Sequence, residues 1–356
     1  MTVEAGVAPP VAPDPPDRRL DLDALRIIAA VMVVTIHSTQ GFIVLGETTH
    51  DLGPAYWIAL VANGLSRCGV PIFFAVSGWL LLRREIPDQA GWLWTRVVRL
   101  GVPLLVWSAI YIVAEWLRGE IVGVPAWNLL GRRDWLLARI TQVVADDGVR
   151  THLWYLYFAI AVAIAIWLVQ GARLEHRDRR AYALAAVALI LPMGLARMLD
   201  VSYGWMTLGW SLGYTALGYV LISSQPRRGL AALSFVVCGT LVVVLNGLLG
   251  NETWPGAYQS PLVLGSTIGV VWLVSGRRIP DRWRSTVMVL GALTLGVYLV
   301  HPLMLDIVRI AALPGRPLGG LSPLPRLLLQ WTFALTASTA LVWLWHRSRR
   351  LTQLLG

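Results

Sequence analysis

The sequence has 356 residues, of which 56% are apolar and only 14% charged, and its mean hydropathy is +0.62. Soluble domains carry about 25% charged residues, so this composition argues against a water-facing globular enzyme. All 30 basic residues are Arg, for a net charge of +10, and they sit in short clusters between apolar runs. That distribution follows the positive-inside rule for membrane loops and speaks against nucleic-acid binding.

Residues 1–21 are polar and Pro-rich, with no apolar stretch of the kind a signal peptide needs. They are expected to form a disordered cytosolic tail. A membrane domain then spans 22–347, and 348–356 is a short cytosolic tail. Crossing a bilayer takes about 20 apolar residues as a helix. Ten runs qualify as candidates: about 24–45, 55–82, 100–117, 152–170, 182–199, 208–223, 230–249, 261–275, 287–311 and 326–346. The expected fold class is therefore all-α, a polytopic membrane protein of about ten transmembrane helices. Nineteen Arg fall in loops on one side and seven on the other. This asymmetry, with an even number of spans, predicts that both termini are cytoplasmic. The longest external loop, about 118–151, contains a candidate interfacial helix at Asp134–Val144. Cys68 and Cys238 read as small core residues, too few for a disulfide scaffold or zinc site.

Ionisable residues inside spans are costly and mark candidate sites. In the first span, Arg26 and His37 are 11 residues apart. That is three helical turns plus about 20°, so both leave one helix face, about 16 Å apart along the axis. Asp23 can pair with Arg26 across one turn. Taken singly, Arg26 also fits a snorkelling anchor, and His37 fits a buried histidine satisfied by neighbouring helices. The second span is broken near Gly69-Val70-Pro71, with Arg67 beside the break and Ser77-Gly78 beyond it. Irregular backbone at membrane depth needs protein or a wet cavity around it; a plain packing kink is the simpler alternative.

Arg96 and Arg99, three apart before the third span, suit a phosphate or pyrophosphate held bidentately; they also suit a topology anchor. His152-Leu-Trp154 opens the fourth span, where Trp154 reads as an interfacial belt residue. Tyr298-Leu-Val-His301-Pro302 lies inside the ninth span, followed by Asp306 and Arg309. Glu115 is a weaker candidate. The pairs Gly209/Gly213 and Gly265/Gly269 read as helix contacts.

Together these residues resemble the acyltransferase-3 family of integral membrane O-acyltransferases, in particular members without an appended hydrolase domain. The resemblance runs from about Arg19 to Arg347. Asp23-Ala-Leu-Arg26 followed by His37 is similar to the family's Arg-ten-residues-His signature. Phe73-Phe74-Ala-Val-Ser77-Gly78, Arg96-Val-Val-Arg99 and Tyr298-Leu-Val-His301-Pro302 are similar to three further family motifs, and His152-Leu-Trp154 is a weaker fifth match. Ala24 and Ile28 stand where the family often has Gly.

The resemblance implies transfer of an acyl group, usually acetyl, from cytoplasmic acyl-CoA to a hydroxyl. The acceptor would be a cell-envelope glycan, a lipid-linked sugar or glycolipid, or a small secondary metabolite, at a bacterial plasma membrane. It implies a catalytic pair of His37 and Arg26, with Arg96 and Arg99 on the donor phosphates. Asp23, Arg67, Ser77, Gly78, Trp154, Tyr298 and His301 would support the site. No metal and no permanently bound cofactor are implied; acyl-CoA is a substrate. His37 acts either as general base or as carrier of the acyl group. The alternative class is a polytopic transporter or exporter with a buried Arg/His site.

Overall fold

The computed structural model describes residues 18–83, 88–123, 134–138, 141, 151–171, 178–201, 204–250 and 253–356. Residues 1–17 of the N-terminal tail, Arg84, Arg132, Arg133, Arg139, Arg150, Arg173, Arg177 and much of the Asp134–Val144 segment lie outside these. Among the described residues there is no strand. The chain forms α1 (Leu20–Thr49), α2 (Pro54–Ser66), α3 (Gly69–Leu82), α4 (Gln89–Val122) and α5 (Trp154–Gly171). There follow α6 (Arg179–Met198), α7 (Gly204–Ile222), α8 (Arg228–Leu249), α9 (Pro261–Val274), α10 (Asp281–Ala311), α11 (Pro323–Trp345) and α12 (Arg349–Leu355).

Each of the ten apolar runs is a helix or, in the second case, a helix pair. Eight segments are long and apolar enough to cross a membrane, α2 and α3 counting as one; α5 is a shorter apolar helix. α7 has 19 residues and many small ones. The break in the second span comes at Arg67-Cys68, just before the Gly-Val-Pro triplet. Pro71 is accommodated in the first turn of α3, where its missing N–H leaves no helical bond unmade.

α1 is the centre of the bundle, packed against α2, α3, α10 and α11. Its polar residues are tied to those neighbours. Asn63 Nδ2 on α2 donates to Thr39 Oγ1 (3.0 Å), and Gln330 Nε2 and Trp331 Nε1 on α11 donate to Ser38 O (3.1 Å) and Thr35 Oγ1 (2.9 Å). With no water in the bilayer interior, such groups need protein partners. α6 and α8 instead turn residues such as Leu184, Val187, Leu233 and Val236 outward, as lipid-facing helices do.

The closest crossing is α3 on α7. A β-carbon on Gly78 would overlap the Thr215 carbonyl, and one on Gly218 would overlap that of Ala75. Small residues here let two backbones touch. Gly209 and Gly213 likewise face Met193 and Ile190 of α6, and Gly265 and Gly269 face Cys238 and Phe235 of α8.

The arginine clusters and both described chain ends meet at one end of the bundle. Arg18 Nη2 donates to Met288 O (3.3 Å), and Asp21 Oδ2 accepts from Gly276 N (2.6 Å). Arg19 and Arg83 both stack on Trp79, at 4.8 and 4.4 Å from the ring centre. The helix α1 begins at Leu20, two residues inside the expected tail. The short C-terminal segment is helical and docked, with Trp107 Nε1 of α4 donating to Leu355 O (3.1 Å).

Candidate active site

His37 does not stand alone. The ring of His301, from α10, lies 5.2 Å from it centre to centre, and that of His152, just before α5, lies 6.4 Å away. His152 and His301 are themselves 5.8 Å apart. Three histidines far apart in sequence thus share one buried point. His152 and His301 are 3% and 0% exposed, whereas His37 is only partly buried. Of the three, His37 is the least enclosed.

The two buried rings are held firmly. His301 Nδ1 lies 3.2 Å from Val297 O, a carbonyl that can only accept. That contact places the proton on Nδ1 and leaves the lone pair of Nε2 buried, without a hydrogen-bond partner among the described residues. Pro302, inside α10, removes one backbone donor at this level. The Tyr298 hydroxyl donates to His152 O. The Tyr111 ring packs edge-on to His152 at 4.9 Å, and its hydroxyl donates to Leu299 O (2.6 Å). Arg309 Nη2 donates to His37 O (2.8 Å), and its Nη1 lies 3.5 Å from Asp306 Oδ1. Arg309 thus fixes the α1 backbone at the histidine itself. Among the described residues no group of His, Cys, Asp and Glu is arranged to hold a metal ion.

Arg26 lies on the same face of α1, toward the arginine-rich end. Asp23, 5% exposed, pairs with it (Nη1–Oδ1 3.5 Å) and also accepts from Arg18 Nε (2.9 Å). Gly291 of α10 faces Asp23 directly. Tyr155 lies in the electrostatic neighbourhood of Arg26 and beside Ser77. Its ring is 5.5 Å from that of Tyr298. A continuous polar seam therefore runs from Arg26 through Tyr155 and Tyr298 to the histidines. Ser77 belongs to this seam, while its neighbour Gly78 serves the α3–α7 crossing.

Arg67, at the break between α2 and α3, is within electrostatic reach of both His37 and Tyr258. The point where a Gly256 β-carbon would sit is 3.4 Å from Arg67 Nε and 2.8 Å from Asn246 Nδ2. Asn246 is fully buried, and neither of its amide atoms has a hydrogen-bond partner among the described residues. Trp154, Trp210 and Tyr258 stack around one another with centroids 5.5–5.8 Å apart. Trp154 is thus part of an aromatic wall and not only a belt residue.

Arg99 faces a cavity at the arginine-rich end, and Arg96 stacks over Trp92 at 5.7 Å. The two are electrostatic neighbours, and Arg26 is the next cation. Glu115 lies one helical turn beyond Tyr111 on α4.

Sequence reasoning placed His37, His301, Tyr298 and Arg26, all of which the fold connects. It underweighted His152 and passed over Tyr111, Tyr155 and Asn246. These residues carry no spacing signal, because they come from three separate stretches of the chain, at α4, α5 and α8.

No solved structure matches the chain at a significant level. The chain is similar to the succinoglycan biosynthesis protein ExoH of Rhizobium meliloti (strain 1021), 26% identical over 278 residues, covering 74% of this chain and 72% of that protein. Residues 19–347 match the acyltransferase domain of the Acyl_transf_3 family, the span that contains the whole histidine cluster and its arginine seam. The chain belongs to the acyltransferase-3 family of membrane O-acyltransferases.

Proposed function

We propose that the protein moves an acyl group, acetyl in the first instance, from cytoplasmic acyl-CoA to a hydroxyl of a cell-envelope saccharide. The observation that carries this is the half-buried His37, on the Arg26 face of α1 and backed by two buried imidazoles. The arginine-rich end of the bundle faces the cytoplasm in this reading, in accord with the positive-inside rule. Arg96 and Arg99 meet the donor phosphates there. The pantetheine arm follows the seam of Arg26, Ser77 and Tyr155, and the thioester reaches His37. The rise of about 16 Å between Arg26 and His37 suits an arm of that length.

The His37 imidazole takes the proton of the acceptor hydroxyl, a role worth about 10²–10⁴-fold. The hydroxyl oxygen bonds to the thioester carbonyl carbon, and the carbon–sulfur bond then breaks. The departing CoA thiolate receives the proton held by His37. Arg309 holds the backbone of His37 in place for this. The name of the relative in succinoglycan biosynthesis supports a saccharide acceptor. Asn246, Arg67 and the Trp154–Trp210–Tyr258 wall offer the amide, cation and ring faces that a sugar binds.

The test is mass spectrometry of envelope glycans and glycolipids from cells with the gene, without it, and with His37→Ala. Loss of an acetyl increment in the second and third strains supports the proposal. An unchanged profile in the null strain contradicts it.

A further inference from the structure

A cavity of about 430 Å³ lies where the start of α1 meets the segments that follow α7 and α9. Arg19, Asp21, Ser275, Arg277 and Arg278 line it, with Asp21 its one carboxylate. Asp21 is already committed: both its oxygens accept from Arg19, and Oδ2 also accepts from Gly276 N (2.6 Å). Arg277 is not. Its Nε donates to Leu273 O (2.7 Å), the same carbonyl that accepts from Arg228 Nη1 (2.9 Å). One carbonyl thus gathers two like charges at the end of α9, and neither guanidinium has an ion-pair partner among the described residues. Arg278 has only a loose contact with Asp281, 3.9 Å between two water-exposed side chains. Ser275 is 2% exposed, and its hydroxyl has no hydrogen-bond partner among the described residues. Leaving such a buried hydroxyl unsatisfied is costly.

Guanidinium groups gathered in this way repel one another until an anion sits among them. The Nη fork of Arg277 and a hydroxyl donor beside it match the oxygens of a phosphate. We propose that this cavity binds a phosphate group, with Arg277 as the fork, Arg19 and Arg278 as further charge and Ser275 Oγ as a neutral donor. The ends of membrane-spanning helices on the arginine-rich side lie at headgroup depth, and basic pockets between helices there take anionic lipid headgroups. The phosphodiester of an anionic phospholipid is therefore the source that the position favours, over free phosphate. Bound there, it would tie the start of α1 to the end of α9, which the Asp21–Gly276 bond already joins. Neither α4 nor the histidine cluster contributes to the cavity, and the proposal does not rest on the acyl-CoA reading.

The experiment is native mass spectrometry of the full-length protein in detergent micelles, titrated with dioleoylphosphatidylglycerol and with dioleoylphosphatidylcholine. Equilibrium dialysis with radiolabelled inorganic phosphate runs beside it. Wild type is expected to bind the anionic lipid roughly tenfold more tightly than the zwitterionic one. Arg277→Gln should remove most of that preference, and Ser275→Ala should reduce it by about threefold. Arg277→Lys should keep part of it, since an ammonium retains the charge without the fork. Arg349→Gln removes the same charge from α12 and should leave the preference intact. An equal loss in Arg349→Gln and Arg277→Gln overturns the proposal, because the attraction would then come from net charge alone. A preference that survives in Arg277→Gln and in the Arg277→Gln/Ser275→Ala double variant overturns it too. Binding of inorganic phosphate that depends on Arg277, without a lipid preference, supports the site and assigns it to free phosphate. Wild type that shows neither overturns it. Displacement of the lipid by acetyl-CoA but not by inorganic phosphate would make the cavity part of a donor site, and also overturns it.

Discussion

Replacing Gly78 by Ala should destabilise the bundle where α3 crosses α7. A β-carbon on Gly78 would lie 2.6 Å from the Thr215 carbonyl carbon and 2.8 Å from its Cα. Ordinary carbon–carbon contact begins at about 3.5 Å, so the helices must part by about 1 Å. Overpacking of this kind costs about 1–3 kcal/mol. The better helix propensity of Ala offsets up to about 1 kcal/mol of that. A net loss of about 1–2 kcal/mol is expected for Gly78→Ala, and a similar one for Gly218→Ala, whose β-carbon would meet Ala75. Both changes open the same gap, so the double variant should lose less than the sum, with a coupling of about 0.5 kcal/mol or more. Gly101→Ala is the control, because a β-carbon there meets nothing within 4 Å; it should be neutral or slightly stabilising. Unfolding in mixed detergent, followed by tryptophan fluorescence, measures the four variants against wild type. Wild-type stability of both single variants, or strict additivity in the double, would refute the backbone contact. Because Ser77 lies beside Tyr155, turnover should fall along with stability.

Arg309→Ala removes the bond to His37 O, and charge-assisted bonds are worth about 1.5–3 kcal/mol. Turnover should fall at least tenfold with little change in donor KM, as steady-state kinetics with acetyl-CoA will show. Arg96→Ala or Arg99→Ala should weaken acyl-CoA binding by roughly ten- to a hundredfold, with Lys rescuing partly and acyl-pantetheine nearly indifferent. Unchanged acyl-CoA affinity in both would leave these residues as topology anchors. A single cysteine placed at Arg180 should react with an impermeant maleimide only after the cells are permeabilised; labelling in intact cells would reverse the orientation and with it the donor side.

The spans were legible because a bilayer demands long apolar runs, and each of the ten runs is helical in the fold. The Arg26–His37 alignment was legible because both lie on one helix, where 11 residues return to the same face. Convergence between helices was not. Nothing in the spacing of His37, His152 and His301 says that their rings meet, and only the packing of α1, α5 and α10 brings them together. The break at Arg67 came just ahead of the Gly-Val-Pro triplet, because a proline is tolerated in a first helical turn. Docking of Arg349–Leu355 against α4 was equally hidden, since seven residues with little periodicity read as a tail. Asn246 looked like one polar residue in an apolar run; its burial beside Gly256 and Arg67 depends on a loop contact that no local pattern encodes.

The central claim is that His37 does the chemistry and that His152 and His301 hold its surroundings. It is tested most directly by single-turnover acetyl transfer from radiolabelled acetyl-CoA to envelope saccharide in membranes containing His37→Ala. Donor binding should stay within about threefold of wild type while transfer falls by 10²–10⁴-fold, the span expected for loss of a general base. Transfer near the wild-type rate, with the protein inserted and folded, would contradict the account and make His37 a structural residue.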